Sequence, residues 1–531
     1  MKRLFSLAAL LALGFFIVFT GACRKDSGGQ QGGAVPAANK TITINTWAEI
    51  GAEEGWKAVA EGYMALHPDV NVVVDLKPSE GYGEWVHNIF ATSNPNADIV
   101  HGNLAGPSAV DKVVNFLEYA DQKSPYSDGR WRDQFNFQMQ IVDMIRQDWI
   151  LLSLESVQVL WEYNKDIFAK TGVQPPATWN ELVTVCEKLL AAGYQPISVA
   201  GDFNSFWAME MGWLAQIYAD QTTRSMINIT RAQLGDYLYD PDVDGVWSYD
   251  PSDPYNDDAW KVNQSPVRFF KAVAEGQFAP DSVGMRTVWG NFAKVFPKYA
   301  GGDAFFGTKD ALPLFYQGKA AMMVNGAWGL SQFKADMEKL AAGQAIESNN
   351  QAISGVTMFE LGTFNMPSME GPGIEAKART IEVAQGNLSA VKKDKAHNDL
   401  VVDFLMYYSS KDGYSRYLSA GLLAGRSVSG PPLVYGVDLP PDYQAMFANL
   451  SFIGNAQKGF GGGLARGIAD IQEALRAYYD YSYNYLSGKT TVDQWLASHK
   501  ATTLQYLDQA LTASKISRND LRNPQNAPTG Q

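Results

Sequence analysis

Apolar and polar residues alternate with the period of a strand in Thr41-Ile42-Thr43-Ile44-Asn45-Thr46-Trp47, and again in Val70-Asn71-Val72-Val73-Val74. Between them, residues 53–66 carry their apolar positions at helical spacing, and 84–93 repeat that pattern before the short apolar run Ala97-Asp98-Ile99-Val100. Strands alternating with helices predict a parallel sheet in an α/β lobe. Ligands of open sheets lie outside the carboxyl ends of the strands. Trp47-Ala48-Glu49 and His101-Gly102-Asn103 follow two such ends.

A second lobe is expected from about Val157. In it, Gln195-Pro196-Ile197-Ser198-Val199-Ala200-Gly201 reads as a strand running into a loop that carries Phe203 to Trp207. Residues 220–311 are aromatic and rich in Asp, without repeats, and read as an insertion. Pattern returns where a helix ends at Gly318, a strand runs from Met322 to Asn325, and a turn carries Trp328. Residues 383–391 look like a strand returning to the first lobe, with a helix over 398–409 behind it; 465–486 and 491–511 are two closing helices. The expected division is 41–156 with 378–412 for the first lobe, and 157–377 with 413–531 for the second.

The amino terminus changes where such a body would work. Lys2 and Arg3 precede an apolar run over 4–19, and Thr20-Gly21-Ala22-Cys23 closes it. Residues 1–22 have the shape of a signal peptide, too short and wrongly flanked for a spanning helix. The ending resembles a bacterial lipobox, which predicts lipidation at Cys23; an ordinary signal with Cys23 incidental is the alternative. Residues 23–40, mostly Gly, Gln, Ala and Ser, read as a flexible tether. A net charge of −13 argues against nucleic acid and against a polybasic membrane patch. Cys186 has no partner for a disulfide or a zinc motif, and reads as a small core residue. The five histidines lack metal-ligand spacing, and no cofactor is expected.

One segment is more specific. Glu162-Tyr163-Asn164-Lys165-Asp166-Ile167-Phe168 is followed by Gly172-Val173-Gln174-Pro175-Pro176-Ala177-Thr178-Trp179-Asn180-Glu181-Leu182. Thr178 and Glu181 have the spacing of a capping box. The segment resembles the Tyr-Asn-Lys-Asp … Pro-x-Thr-Trp-x-Glu-Leu stretch of family 1 bacterial extracellular solute-binding proteins, the maltose-binding-type receptors of ABC importers. Residues 318–328, 384–410 and 490–511 resemble further segments of that family in the right order; 220–311 has no counterpart. The resemblance implies a two-lobed type II periplasmic-binding-protein fold with several hinge crossovers. It implies capture of a sugar or oligosaccharide outside the cytoplasm by a monomeric, lipid-anchored receptor, and delivery to ABC permease subunits, with no bond broken.

A sugar receptor needs aromatic plates for sugar faces and polar side chains for hydroxyls. Trp328 matches the family's stacking position, and Trp47 and Glu49 fall at a ligand-lining place. Tyr163 opens the Asn-Lys-Asp motif, Trp207 sits where the family often has an aromatic, and Arg426 lies in a loop that often faces the cleft. Asn103 stands at a strand end, and Phe460 in a Gly-rich loop is a further candidate plate. Each has a packing or turn role as its alternative. Asp240, Asp242 and Asp244, followed by Gly245, resemble half a calcium loop, but position twelve is Pro251 and a solvated acidic loop is the simpler reading. A secreted glycoside hydrolase and a same-fold receptor for a non-sugar solute are the rival functions.

Overall fold

A computed structural model describes residues 40–530 except 94, 103–106, 144–147, 349–350, 449, 451–452, 458–459 and 469–470. The chain opens with β1 (Lys40–Ile44), α1 (Ala52–Leu66), β2 (Val70–Val74), α2 (Tyr82–Ala91) and β3 (Ile99–His101), in the alternation the sequence predicts. There follow α3 (Leu117–Ala120) and the small hairpin β4 (Val142–Asp143) and β5 (Asp148–Trp149). A long strand, β6 (Glu155–Asn164), leads to α4 (Lys165–Thr171), α5 (Trp179–Ala191), β7 (Gln195–Ser198), α6 (Phe203–Ala208) and α7 (Glu210–Asp220). Then come α8 (Ile227–Thr230), α9 (Pro266–Ala274), α10 (Val283–Val295), α11 (Leu312–Tyr316), β8 (Ala320–Gly326) and α12 (Trp328–Ala341). The hairpin β9 (Ile346–Ser348) and β10 (Gln351–Ile353), β11 (Leu361–Phe364), β12 (Glu382–Gln385) and β13 (Leu388–Ala390) come next. Seven helices close the chain: α13 (Lys395–Tyr408), α14 (Lys411–Leu423), α15 (Pro441–Phe447), α16 (Phe460–Leu464), α17 (Gln472–Leu486), α18 (Val492–Gln505) and α19 (Leu507–Ala513).

Two sheets organise these elements. The first has the order β13-β3-β1-β2; β1 runs parallel to β2 and β3, and β13 is antiparallel to β3. In register with β2, Ile42 and Ile44 point to one face, and that face is buried against Trp56, Val59 and Tyr63 of α1. The second sheet has the order β11-β6-β8-β7, with β12 also paired to β6. β7 and β8 are parallel, so their carboxyl ends lie together. Each sheet carries its own core, one including Val59, Phe404 and Trp149, the other Trp161, Trp179, Trp289 and Trp495.

Local sequence signals match the elements they predict. Asn164 ends β6 and accepts the Ile167 N–H at 3.0 Å as N-cap of α4, which gives the Tyr-Asn-Lys-Asp motif a physical reason. Thr178 and Glu181 form the predicted capping box on α5, and Thr491 and Gln494 form another on α18. Cys186 is buried in the second core.

Two expected boundaries move. Residues from 413 onward are expected in the second lobe, yet Tyr414, Tyr417 and Leu418 of α14 bury in the first core against α1, and Val428, Val434 and Phe447 stay with them. The tyrosine stripe of α14 needed an aromatic partner face, and Trp56 and Tyr408 supply it. The stretch expected as an insertion, 220–311, does not pack as one unit. α9 builds a separate core with Leu464, Leu507 and Leu511, whereas Met285, Val288, Trp289 and Phe292 of α10 pack inside the second core. The part that stays outside the second core is 221–282. Among the described residues no helix is long and apolar enough to cross a membrane. Residues 1–39, with Cys23 and the expected signal peptide, lie outside the described residues.

Candidate functional site

The carboxyl ends of the parallel strands in both sheets open onto cavities. In the first lobe, the cavity is about 220 Å³ and takes in Trp47, Glu49, His101, Glu155, Tyr417 and Arg426. Trp47 leaves β1 and stacks on His101, ring centroids 3.8 Å apart, with the Tyr82 edge at 5.6 Å. Its indole N–H donates to Glu49. Tyr82 fixes the two strand ends together: its hydroxyl donates to Asn45 O at 2.7 Å and accepts the His101 backbone N–H at 3.1 Å. The His101 ring donates through Nδ1 to Gly386 O at 2.8 Å, and burial pushes its pKa down to about 4, so it is a neutral imidazole at pH 7.

Arg426 closes this cavity from the loop after α14. Burial works against its charge, but Glu155 and the tyrosines around it outweigh that and hold the guanidinium protonated. It is ion-paired with Glu155 and lies over the Tyr417 ring. Glu155 also accepts from the Tyr414 hydroxyl at 3.1 Å. Nε and Nη1 of Arg426 have no partner among the described residues, so the group is half clamp and half unspent donor.

In the second lobe, a cavity of about 1000 Å³ opens where β7 and β8 end, and its walls include Asp202, Asn204, Glu210, Asp310, Asn325 and Trp328. Trp328 begins α12 directly after β8, its half-buried ring meeting the edge of Trp213 at 5.9 Å. Any side chain at Gly326 would collide with that indole, so glycine there is what lets the ring lie over the strand end. Asp202 N-caps α6 through Ser205 N at 3.0 Å, which holds its carboxylate at the cavity wall. Glu210 sits 3.0 Å from the Ser205 hydroxyl, and burial raises its pKa. Asp310 keeps one carboxylate oxygen without a partner. Beneath this wall lies Glu162 of β6, fully buried, its Oε1 unpartnered; burial raises its pKa to about 8.

The structure thus brings Trp47, Glu49 and Arg426 into one cavity and Trp328 into another. Trp207 is half-buried on α6 and is not among the residues walling either cavity. Tyr163 sits apart: its ring packs on Phe168 and Phe364 at the far end of β6 and lines a separate cavity of about 390 Å³ with Lys165, Phe333 and Glu360. Phe460 lies away from both strand-end cavities, one face of its ring stacked on Phe269 at 4.3 Å in the core that α9 builds. Asn103 lies outside the described residues. The calcium reading is also displaced. The Asp240 carboxylate accepts the Asp242 N–H, and Asp244 turns inward to Asn263 at 2.8 and 2.9 Å, so these oxygens close their own loop. Among the described residues no group of three or more His, Cys, Asp or Glu side chains is placed to hold a metal ion. His101, Asp202, Glu210, Asp310 and Glu155 were missed as site residues. Asp202 had a readable signal, an N-cap residue at the end of the short loop that follows a strand.

Two α/β lobes joined by strands that pass between them, each with a cavity at its strand ends, define a hinged binding protein. A sequence profile described as Bacterial extracellular solute-binding protein matches residues 47–414, and the chain belongs to that family. No curated protein matches it. Solved structures share the fold at low identity. The cyclic alpha-maltosyl-1,6-maltose binding protein of Arthrobacter globiformis is 13% identical at a TM-score of 0.53, over 88% of this chain and 99% of that one. The GacH receptor of Streptomyces glaucescens, solved unliganded and with acarbose, is 17% identical at 0.51, over 88% and 98%. RafE in complex with raffinose is 15% identical at 0.51, over 87% and 100%.

Proposed function

We propose that this protein is the carbohydrate-binding receptor of an ABC importer, closing its two lobes on a sugar or oligosaccharide and handing it to permease subunits without chemical change. The observation that carries the reading is Trp328, an indole presented at the wall of a cavity of about 1000 Å³ among Asp202, Asn204, Glu210, Asp310 and Asn325. An apolar plate ringed by hydrogen-bonding groups matches the two-faced chemistry of a pyranose. The saccharides named for the GacH and RafE structures support the same class of ligand. Trp47, Glu49 and Arg426 on the facing lobe would supply the second set of contacts that makes closure favourable. We further propose lipidation at Cys23, which would keep the receptor at the membrane outside the cytoplasm. Thermal-shift measurements on the mature protein against mono- and oligosaccharides test the reading. A raised melting temperature with the sugar recovered intact supports it. Hydrolysis of the sugar, or silence toward every saccharide, overturns it.

A further inference from the structure

We propose that the insertion over 221–282 builds an extra subsite of the receptor, with Trp260 as its plate, and that this subsite selects for longer, uncharged saccharides. The proposal rests on the carbohydrate reading above. A further cavity, of about 590 Å³, lies between the lobes. Its first-lobe wall includes Gln138, Gln140 and Ile150, and its opposite wall includes Trp260 and Asn263 from the insertion. Trp260 is half-buried and reaches the Phe137 ring at 5.2 Å, so the insertion touches the opposite lobe at the cavity's edge.

The wall of this cavity is linked along the chain to the walls of both strand-end sites. Ala384 lines it while the next residue, Gln385, lines the first-lobe cavity; Leu151 and Leu152 divide in the same way. On the other side, Gln457 at its wall meets the Gln216 amide at 2.9 Å, one turn along α7 from the Trp213 that packs on Trp328. A ligand longer than the strand-end sites can hold would extend here.

The chemistry of the walls points to a neutral guest. Three carboxylates line the cavity, Asp148, Asp257 and Glu382, and none of them is free. Asp257 is paired to Arg379 at 2.6 Å, and Glu382 accepts the Ile453 and Gly454 N–H groups at 2.5 and 2.9 Å. Beside these engaged carboxylates the walls offer an indole, aliphatic carbon and side-chain amides, which suit the faces and hydroxyls of an uncharged sugar. The plate is also rigidly mounted. Arg379, just before β12, is buried and grips both Asp220 at the start of the insertion and Asp257 within it.

The test is calorimetric titration of the full mature protein with malto-, xylo- and chito-oligosaccharide ladders from disaccharide to hexasaccharide. Trp260→Ala and Gln138→Ala, an exposed residue on the opposite wall whose loss should not disturb folding, are compared with the parent. The parent should bind longer members of one ladder more tightly. Trp260→Ala should weaken those by roughly tenfold or more, the size of one aromatic hot spot, and leave the disaccharide within about twofold. Gln138→Ala should act in the same direction, less strongly. If the parent binds but all three proteins share one length profile, the subsite is wrong and the receptor reading stands. If the parent binds no ladder, both fall.

Discussion

At the scale of single residues, two side chains should separate binding from stability. Trp328 is half-buried, with one edge contact to Trp213, a packing contribution of about 0.5–1.5 kcal/mol. Trp328→Ala should therefore lower the melting temperature only slightly, while weakening saccharide binding by at least about tenfold in calorimetry. Phe460→Leu, in the insertion's core, should do the reverse, destabilising the fold and leaving affinity unchanged. Glu162 gives a pH signature. Its pKa is about 8 in the folded chain against an ordinary 4.5, so the folded state keeps a proton that the unfolded chain releases. The stability this contributes is complete below about pH 4.5 and is lost as pH rises through 8. His101 and His499, both pushed down to about 4 by burial, act oppositely and lose stability as pH falls from 6.5 toward 4. Glu162→Gln should remove the alkaline loss. Denaturant unfolding should find the variant as stable as the parent near pH 5 and more stable at pH 8, by on the order of a few kcal/mol. Equal pH slopes in parent and variant would show that Glu162 is ionised in the fold.

At the scale of elements, what the sequence revealed was local and what it hid was pairing. The alternation in β1 and β2 and the capping box of α5 were legible because each is decided within a few residues. The apolar face of Tyr414, Tyr417 and Leu418 is set by their spacing, but nothing within α14 decides which core buries it. α9 opens on Ser265 as N-cap and Pro266 at N1 inside the stretch that showed no pattern, and nothing local tied it to Leu507 and Leu511 more than two hundred residues on. The candidate site shows the same limit. Trp47 and Arg426 meet only because α14 folds back onto α1, and Trp260 was passed over because its segment matches no family pattern. The insertion's attachment is testable at this scale. Removing Arg379 would leave Asp220 and Asp257 buried beside each other without their shared cation. Arg379→Met should cost about 3–5 kcal/mol in denaturant unfolding and open the stretch 236–264 to limited proteolysis before the rest of the lobe. Cleavage that begins elsewhere, with that stretch still protected, would mean the insertion is held by its own core instead.

At the scale of the whole molecule, the question is how binding becomes closure. Among the described residues two neighbouring runs join the lobes, β6 and the stretch from β12 into β13, and the chain is back in the second core only after Phe447. β12 pairs with β6 and Arg426 grips Glu155 at the base of β6, so bending at one run must be shared by the other. Gly386, between β12 and β13, has φ of 114°, a conformation that gives the crossing a point of turn which side-chain-bearing residues rarely adopt. A ligand shifts such an equilibrium only by binding the closed form better than the open one, and the only contacts that distinguish the two are those made to both lobes together. A disaccharide held by the second-lobe cavity alone would bind without closing the protein. A saccharide long enough to engage both Trp328 and the Trp47–Arg426 wall should bind and close it. Small-angle scattering at saturation with short and long members of one bound ladder separates these cases. The radius of gyration should fall with the long member and stay near the free value with the short one. Equal compaction by both would place the closing contacts within reach of a single sugar unit, and no compaction by either would mean that the lobes are a fixed frame.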